Sequence, residues 1–234
     1  MAKATKTAKS QPEKSMRKGE LTRASILGVA LEIASLHGIE GLTIGVLAEK
    51  MQMSKSGVFA HFGSREDLQL EIVKLYHTRF EQEVFYPSLT AARGLPRLEM
   101  MFSRWVQVVS LEITHGCIYI SGAVEYDDRP GEIRAQLMTM ILAWRQALKR
   151  CIQQAIDEGH LQKNIDIEQM VYEIYGLVLA LHHDARFLRL PDSPERAKNS
   201  FNRLIDSYRP PLKMQKKGGK AEKCETLTTR KRAA

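Results

Sequence analysis

The chain has 234 residues, 44% of them hydrophobic, which is material for one large domain or two small ones, and no apolar run reaches the roughly 18–20 residues that span a bilayer. Its three cysteines, Cys117, Cys151 and Cys224, are far apart and form no Cys-x-x-Cys, which argues against a disulfide framework or a zinc ribbon and fits a reducing cytosol. The net charge of +8 sits at the ends: residues 1–18 hold +5 and residues 212–234 hold +6, leaving −3 between them, so the high pI of 9.4 says little about the folded part.

Residues 1–18 are rich in Lys, Ala, Thr and Ser, with almost no large apolar side chain, and are expected to be disordered. They lack the apolar stretch of a secretory signal. Two readings stand beside each other: a basic arm that follows phosphates, and a solvated leader. The first helix is expected over about Leu21 to His37, with Ile26, Leu27, Ala30, Leu31, Ile33 and Ala34 on one stripe and Gly38 as its left-handed stop.

Two short helices follow. Thr43 can cap the first, which buries Ile44, Leu47, Ala48 and Met51; Met51-Gln52-Met53 is the break. Ser54 caps the second, where Val58, Phe59 and Phe62 can pack inward while Lys55, Ser56 and His61 face out. Two short helices at a steep angle form a helix-turn-helix, whose second helix fits the DNA major groove. Gly63 ends that helix. Ser64-Arg65-Glu66-Asp67 is a capping box for a fourth, whose stripe of Leu68, Ile72, Leu75 and Phe80 runs to about Phe85, where Tyr86-Pro87 breaks it.

From Gly94 the pattern changes to longer apolar helices. Pro96 suits an early position in helix five, which is expected to reach about Thr114 before His115-Gly116. Cys117 to Tyr126 reads as a short helix or a strand, and its helical neighbours favour the helix. Asp127-Asp128-Arg129-Pro130 is a start signal for helix seven, with Pro in the first turn. Asp166 caps helix eight, in which Tyr175 to Leu181 is nearly apolar all round, as suits a helix covered on both sides. Pro191-Asp-Ser-Pro194 opens helix nine and Pro210-Pro211 closes the fold, after which residues 212–234 form a second basic tail, also expected to be disordered. The expected fold is therefore all-α, with about nine helices in two parts, 19–85 and 86–211.

The residues Thr22, Ala30, Ala34, Gly38, Thr43, Leu47-Ala48, Ser54-Lys55-Ser56-Gly57, His61-Phe62 and Arg65-Glu66-Asp67-Leu68 as a set resemble the TetR/AcrR family of one-component transcriptional repressors, over roughly residues 20–80. The family usually has Gly where Gln52 stands, and Tyr where Phe59 stands; that Tyr hydroxyl normally reaches a phosphate, which Phe59 cannot do. The resemblance implies a helix-turn-helix over 42–61, a helical effector-binding and dimerisation part, a bacterial cytosolic setting, and repression released by a small molecule.

For DNA, the groove candidates are Lys55, Ser56, Gly57 and His61, with Thr43, Ser54 and Arg65 as backbone positioners and Phe59 at the family's phosphate-contacting position. Capping is part of the role of Thr43 and Ser54 in any case, and His61 is as well explained by packing against helix four. One such module buries little surface, so a dimer on a near-palindromic operator is expected. Its interface is placed on helices eight and nine, where Leu177, Val178, Leu181, Phe201, Leu204 and Ile205 supply more apolar surface than one chain needs; part of this is intrachain core.

Helices five to eight are expected to enclose a largely apolar cavity, lined by Met100, Met101, Trp105, Val109, Met138, Met140, Trp144 and Tyr175, although core packing is the better explanation of any single one of them. Glu112, His115, Glu125, Tyr126 and His182 are the polar candidates there. Consecutive helical residues diverge by about 100°, so His182-His183-Asp184 is poorly placed to share a metal ion. No metal and no cofactor is expected. No Gly-x-Ser-x-Gly, phosphate loop, dinucleotide fingerprint or His-Glu-x-x-His occurs, which argues against an enzyme. The rival is an architectural DNA-binding protein driven by the basic tails.

Overall fold

A computed structural model describes residues 18–111 and 116–211, and every regular element among them is helical. The helices are α1 (Lys18–His37), α2 (Ile44–Lys50), α3 (Lys55–Phe62), α4 (65–88), α5 (Leu95–Leu111), α6 (Ile118–Glu125), α7 (Glu132–Asp157), α8 (167–187) and α9 (Ser193–Tyr208). The basic arm (apart from Lys18, which begins α1) and the basic tail fall outside the described residues, as do Glu112 and His115.

Local chemistry sets most of the boundaries. Thr43 accepts a bond from the Val46 amide, Ser54 from Gly57, Ser64 from Asp67, and Asp166 from Glu168 and Gln169, so each relieves amides that lack a partner in the first turn. The Ser64 hydroxyl also donates to the Asp67 carboxylate at 2.6 Å. Gly38 ends α1 with φ of +82°. At the end of α2 the Met53 amide bonds the Ala48 carbonyl and the Gln52 amide bonds that of Glu49, the paired closure of a Schellman motif. Gln52 takes its left-handed position, with φ of +54°.

Two expectations are corrected here. Tyr86-Pro87 does not break helix four. The chain passes from Arg65–Phe80 through a π-type turn, Glu81–Phe85, into Tyr86–Ser88, with the Tyr86 amide reaching back to Glu81. The wider turn relieves the clash that a proline ring makes with the preceding turn. Helix seven starts later than expected: its N-cap is Gly131, at φ of 149° and without a side-chain cap bond, so Pro130 precedes the helix.

The first three helices and the start of α4 form a small head around Ile26, Ala30, Ala34, Ile39, Leu42, Leu47, Val58, Leu68 and Ile72, none of which touches solvent. Helices α5 to α9 form the body, where Leu98, Ile118, Leu148, Ile152, Met170 and Ile174 are equally closed off and Phe102 stacks flat on Phe201 at 4.0 Å. Helix α4 packs against both α1 and α7, so it belongs to head and body alike. No helix among the described residues is long and apolar enough to cross a membrane.

Candidate nucleic-acid interface and effector site

In the head, α3 buries Val58 and Phe62 and leaves Lys55, Ser56, Phe59 and Ala60 on its outer side. Phe59 is 44% exposed, so the expected inward packing is corrected: it stands one turn beyond Lys55 on the outer stripe, where the family's Tyr would stand. Val46 on α2 is as exposed and was missed, since a lone Val carries no chemical signal. The Lys55 ammonium lies back over α2 beside Gly45. The Ser54 and Ser56 hydroxyls are 3.1 Å apart, and Ser54 also receives the Gly57 amide, so this corner is already ordered. A side chain at Gly57 would crowd the Ser54 hydroxyl, which gives this glycine a packing reason of its own.

His61 is half-buried and its ring sits beside that of Phe62. Its carbonyl takes a bond from Arg23 of α1. Arg23 also lies over the Phe62 ring at 4.8 Å and pairs with Glu71 of α4 at 3.1 Å, tying the end of α3 to both neighbours. Arg65 is directed inward rather than outward. It donates to the carbonyls of Leu42 and Glu40 at 3.0 and 2.5 Å, and to the Glu40 carboxylate at 3.2 Å. A phosphate contact from Arg65 would have to give up these bonds.

In the body, Trp105, Trp144 and Tyr175 do come together, as the sequence predicts, but they fill the space they were expected to line. Trp105 meets Trp144 and Tyr175 edge-on, each at 5.3 Å, and Phe80 of α4 meets Trp144 at 4.9 Å and Tyr119 at 5.3 Å. Of the hollows, larger ones lie at the head–body junction and between α6 and α7, and two flank α4. One of about 170 Å³ is lined by Leu31, Glu32, Ser35, Tyr76, Arg79, Phe80 and Val108. Another of about 130 Å³ is lined by His77, Phe80, Phe85, Ala143, Trp144 and Arg150. Phe80 is common to both. The Trp144 indole nitrogen is buried without a hydrogen-bond partner.

Tyr175 lies under the Arg145 guanidinium, and burial pushes its hydroxyl up to about 12. His182, about two turns along α8, has a buried Nε2 without a partner; burial, then the Arg186 guanidinium and the neighbouring His183, hold its pKa below the ordinary value. Met138 is exposed on α7, not interior. Tyr126 and Glu125 are also misplaced by the expectation. They sit at the junction with the head: the Tyr126 hydroxyl donates to Glu40 at 2.6 Å, and Glu125 accepts the Ile39 amide at 2.8 Å. No group of three or more His, Cys, Asp or Glu side chains able to hold a metal occurs among the described residues.

A small head with a capped, outward helix at the end of a helix-turn-helix, carried on an all-helical body, defines a DNA-binding transcriptional regulator of the two-part bacterial type. Residues 26–72 match the profile described as bacterial regulatory proteins, tetR family, and residues 94–201 match the one described as tetracyclin repressor-like, C-terminal domain. The chain belongs to the TetR family of transcriptional regulators. No curated protein matches its sequence.

Among solved structures, a TetR-family regulator from Cytophaga hutchinsonii is similar over 84% of this chain and 98% of its own, at 18% identity and a TM-score of 0.72. A second, from Chloroflexus aurantiacus, is similar over 82% and 96%, at 21% identity and 0.70. AibR, solved with isovaleryl coenzyme A and operator DNA, is similar over 81% and 99%, at 21% identity and 0.64.

Proposed function

We propose that the protein is a dimeric repressor of the bacterial cytosol, without enzymatic activity, that leaves a near-palindromic operator when a small, largely apolar ligand enters its body. The outer stripe of α3 carries this reading: Lys55 and Phe59 are exposed on a head whose core is otherwise closed, and the Lys55 ammonium, now over α2, is free to turn toward a duplex. Lys55 and Ser56 read base edges, Gly57 lets the α3 backbone approach the duplex, and His61 stands at the edge of this surface. Phe59, without a hydroxyl, offers an apolar contact such as a thymine methyl accepts. Thr43 and Ser54 hold the caps beside which phosphates sit. Arg65 acts from behind by fixing the α1–α2 turn.

The dimer face is the bare side of α8. Tyr172, Leu179 and Phe187 are 68%, 43% and 77% exposed, while Val178, Leu181, Phe201 and Ile205, chosen from the sequence, are intrachain core. The outer side of α9 is polar, with Arg196, Asn199, Asn202, Arg203 and Asp206, and so forms the rim rather than the centre.

AibR was crystallised with an acyl coenzyme A; for this chain the aromatic interior supports only the apolar part of such a ligand. Neither hollow beside α4 reaches the few hundred Å³ of an ordinary ligand site. A ligand that enters beside α4 displaces Phe80, and with it α4, which changes the spacing of the two heads. A ligand acts by its difference in affinity for the two spacings.

The test against an architectural role is a footprint with and without residues 1–18 and 212–234. A specific footprint should survive the deletion. Lys55→Ala should weaken it by about 1–3 kcal/mol with less effect on random duplex. Loss of all binding on deletion, or equal loss on both DNAs from Lys55→Ala, would favour the architectural role.

A further inference from the structure

We infer that Glu125 and Glu40 form a reciprocal latch that positions the reading head on the body. This rests on the regulator reading above and adds to it a second tie, separate from α4. The α1–α2 turn, residues 38–43, presents backbone amides toward the end of α6. The Ile39 amide donates to Glu125 Oε2 at 2.8 Å and the Glu40 amide to Oε1 at 3.4 Å. A Cβ built on Gly38 would overlap that same carboxylate, so the turn leaves its space to a residue of the body. In return, Glu40 reaches from the turn to the body: Tyr126 donates to its Oε1 at 2.6 Å and Arg129 lies 3.6 Å from its Oε2.

The same turn is held from within the head. Gln69 of α4, buried, donates to the Ile39 carbonyl at 2.8 Å, and Arg65 donates to Glu40 and Leu42. Tyr126 first, then Arg65 and Arg129, hold the Glu40 carboxyl below the usual carboxylate range, so it is charged at neutral pH and these bonds are charge-assisted. The turn leads directly into α2, and α2 packs on α3. A carboxylate that fixes the turn therefore fixes the direction in which Lys55 and Phe59 point. Movement of α6, which packs on α7 in the body, reaches the reading helix by this path.

Glu125 is a positioning residue, since it acts through the turn and touches no DNA in this reading. The experiment uses the full chain, a duplex selected by the wild type, and a random duplex of equal length. Glu125→Ala should raise amide exchange at Ile39 and Glu40 at least about 10-fold, the loss of a charge-assisted hydrogen bond, with the body as protected as before. Affinity for the selected duplex should fall about 3- to 10-fold while that for random duplex holds, because a less fixed head loses register before it loses phosphate attraction. Glu125→Gln, which keeps one acceptor, should fall between.

Tyr126→Phe removes the Glu40 bond but keeps the ring, and guards against a folding defect in the first variant; it should lower selected-duplex affinity in the same sense. Unchanged exchange in Glu125→Ala overturns the latch, as does raised exchange with wild-type affinity for the selected duplex. A wild type that does not distinguish the two duplexes overturns the DNA reading instead, and would be seen before any variant is made.

Discussion

At the scale of single residues, Gln52 is a left-handed position filled by a residue that resists it. Its amide and that of Met53 close α2, so the conformation is set by the motif and not by the side chain. Glycine would adopt it freely, while adding some entropy to the unfolded chain. Gln52→Gly should therefore stabilise the head by about 0.5–1 kcal/mol in urea or thermal unfolding, net of that entropy. A destabilised variant would mean that the Gln52 side chain makes a contact worth more than the backbone strain.

His182 gives a pH dependence with a definite sign. Its folded pKa lies below the ordinary 6.5, chiefly through burial, so the unfolded chain takes up the proton first. Below pH 6.5 the unfolded state holds the extra proton and stability falls with falling pH; above it this group contributes no slope. His182→Asn should flatten the pH profile of stability as pH falls below 6.5, relative to wild type, by denaturation at each pH. An unchanged difference between the two proteins across that range would show that His182 is not held neutral.

Among whole elements, α8 is apolar on two sides and only one is covered by its own chain. Met170, Val171, Ile174, Val178 and Leu181 face the body, whereas Tyr172, Leu179 and Phe187 face solvent. Such a stripe on a helix is an interface signal. Leu179→Glu should leave the fold intact, since the position is already half open. It should convert dimer to monomer in sedimentation and lower operator affinity toward the nonspecific level, on the order of 10³-fold. A variant that stays dimeric would move the interface elsewhere.

The same helix shows what the sequence makes legible. Periodicity marks an apolar stripe, but which stripe the rest of the chain covers is a tertiary fact: of the mixed set read from the sequence, Val178 and Phe201 lie on the side its own chain covers. The caps at Thr43, Ser54, Ser64 and Asp166 were readable because they depend on three or four neighbouring residues. Pro87 reads as a break because the π-type turn that accommodates it leaves no mark in composition. The aromatic residues of the body were found, but not that they pack on one another and on Phe80 of α4. The bond from Glu125 to the turn joins residues 86 apart, beyond any local pattern.

For the molecule as a whole, one account links these parts. In the proposed reading two heads, each with Lys55 and Phe59 exposed, are held by α4 and by the Glu40–Glu125 junction on bodies that pair through α8. Specificity then comes from two modest contacts at a fixed separation, and regulation from anything that alters the separation. In the same reading the basic ends of the chain add charge but no sequence preference. Selection of bound sequences from random DNA by the full-length protein reads the separation and the recognition together. It should return a two-fold symmetric site with half-sites about one helical turn, ~10 bp, or a multiple of it apart. A selected pool with no enriched sequence, or with a single asymmetric half-site, would contradict it.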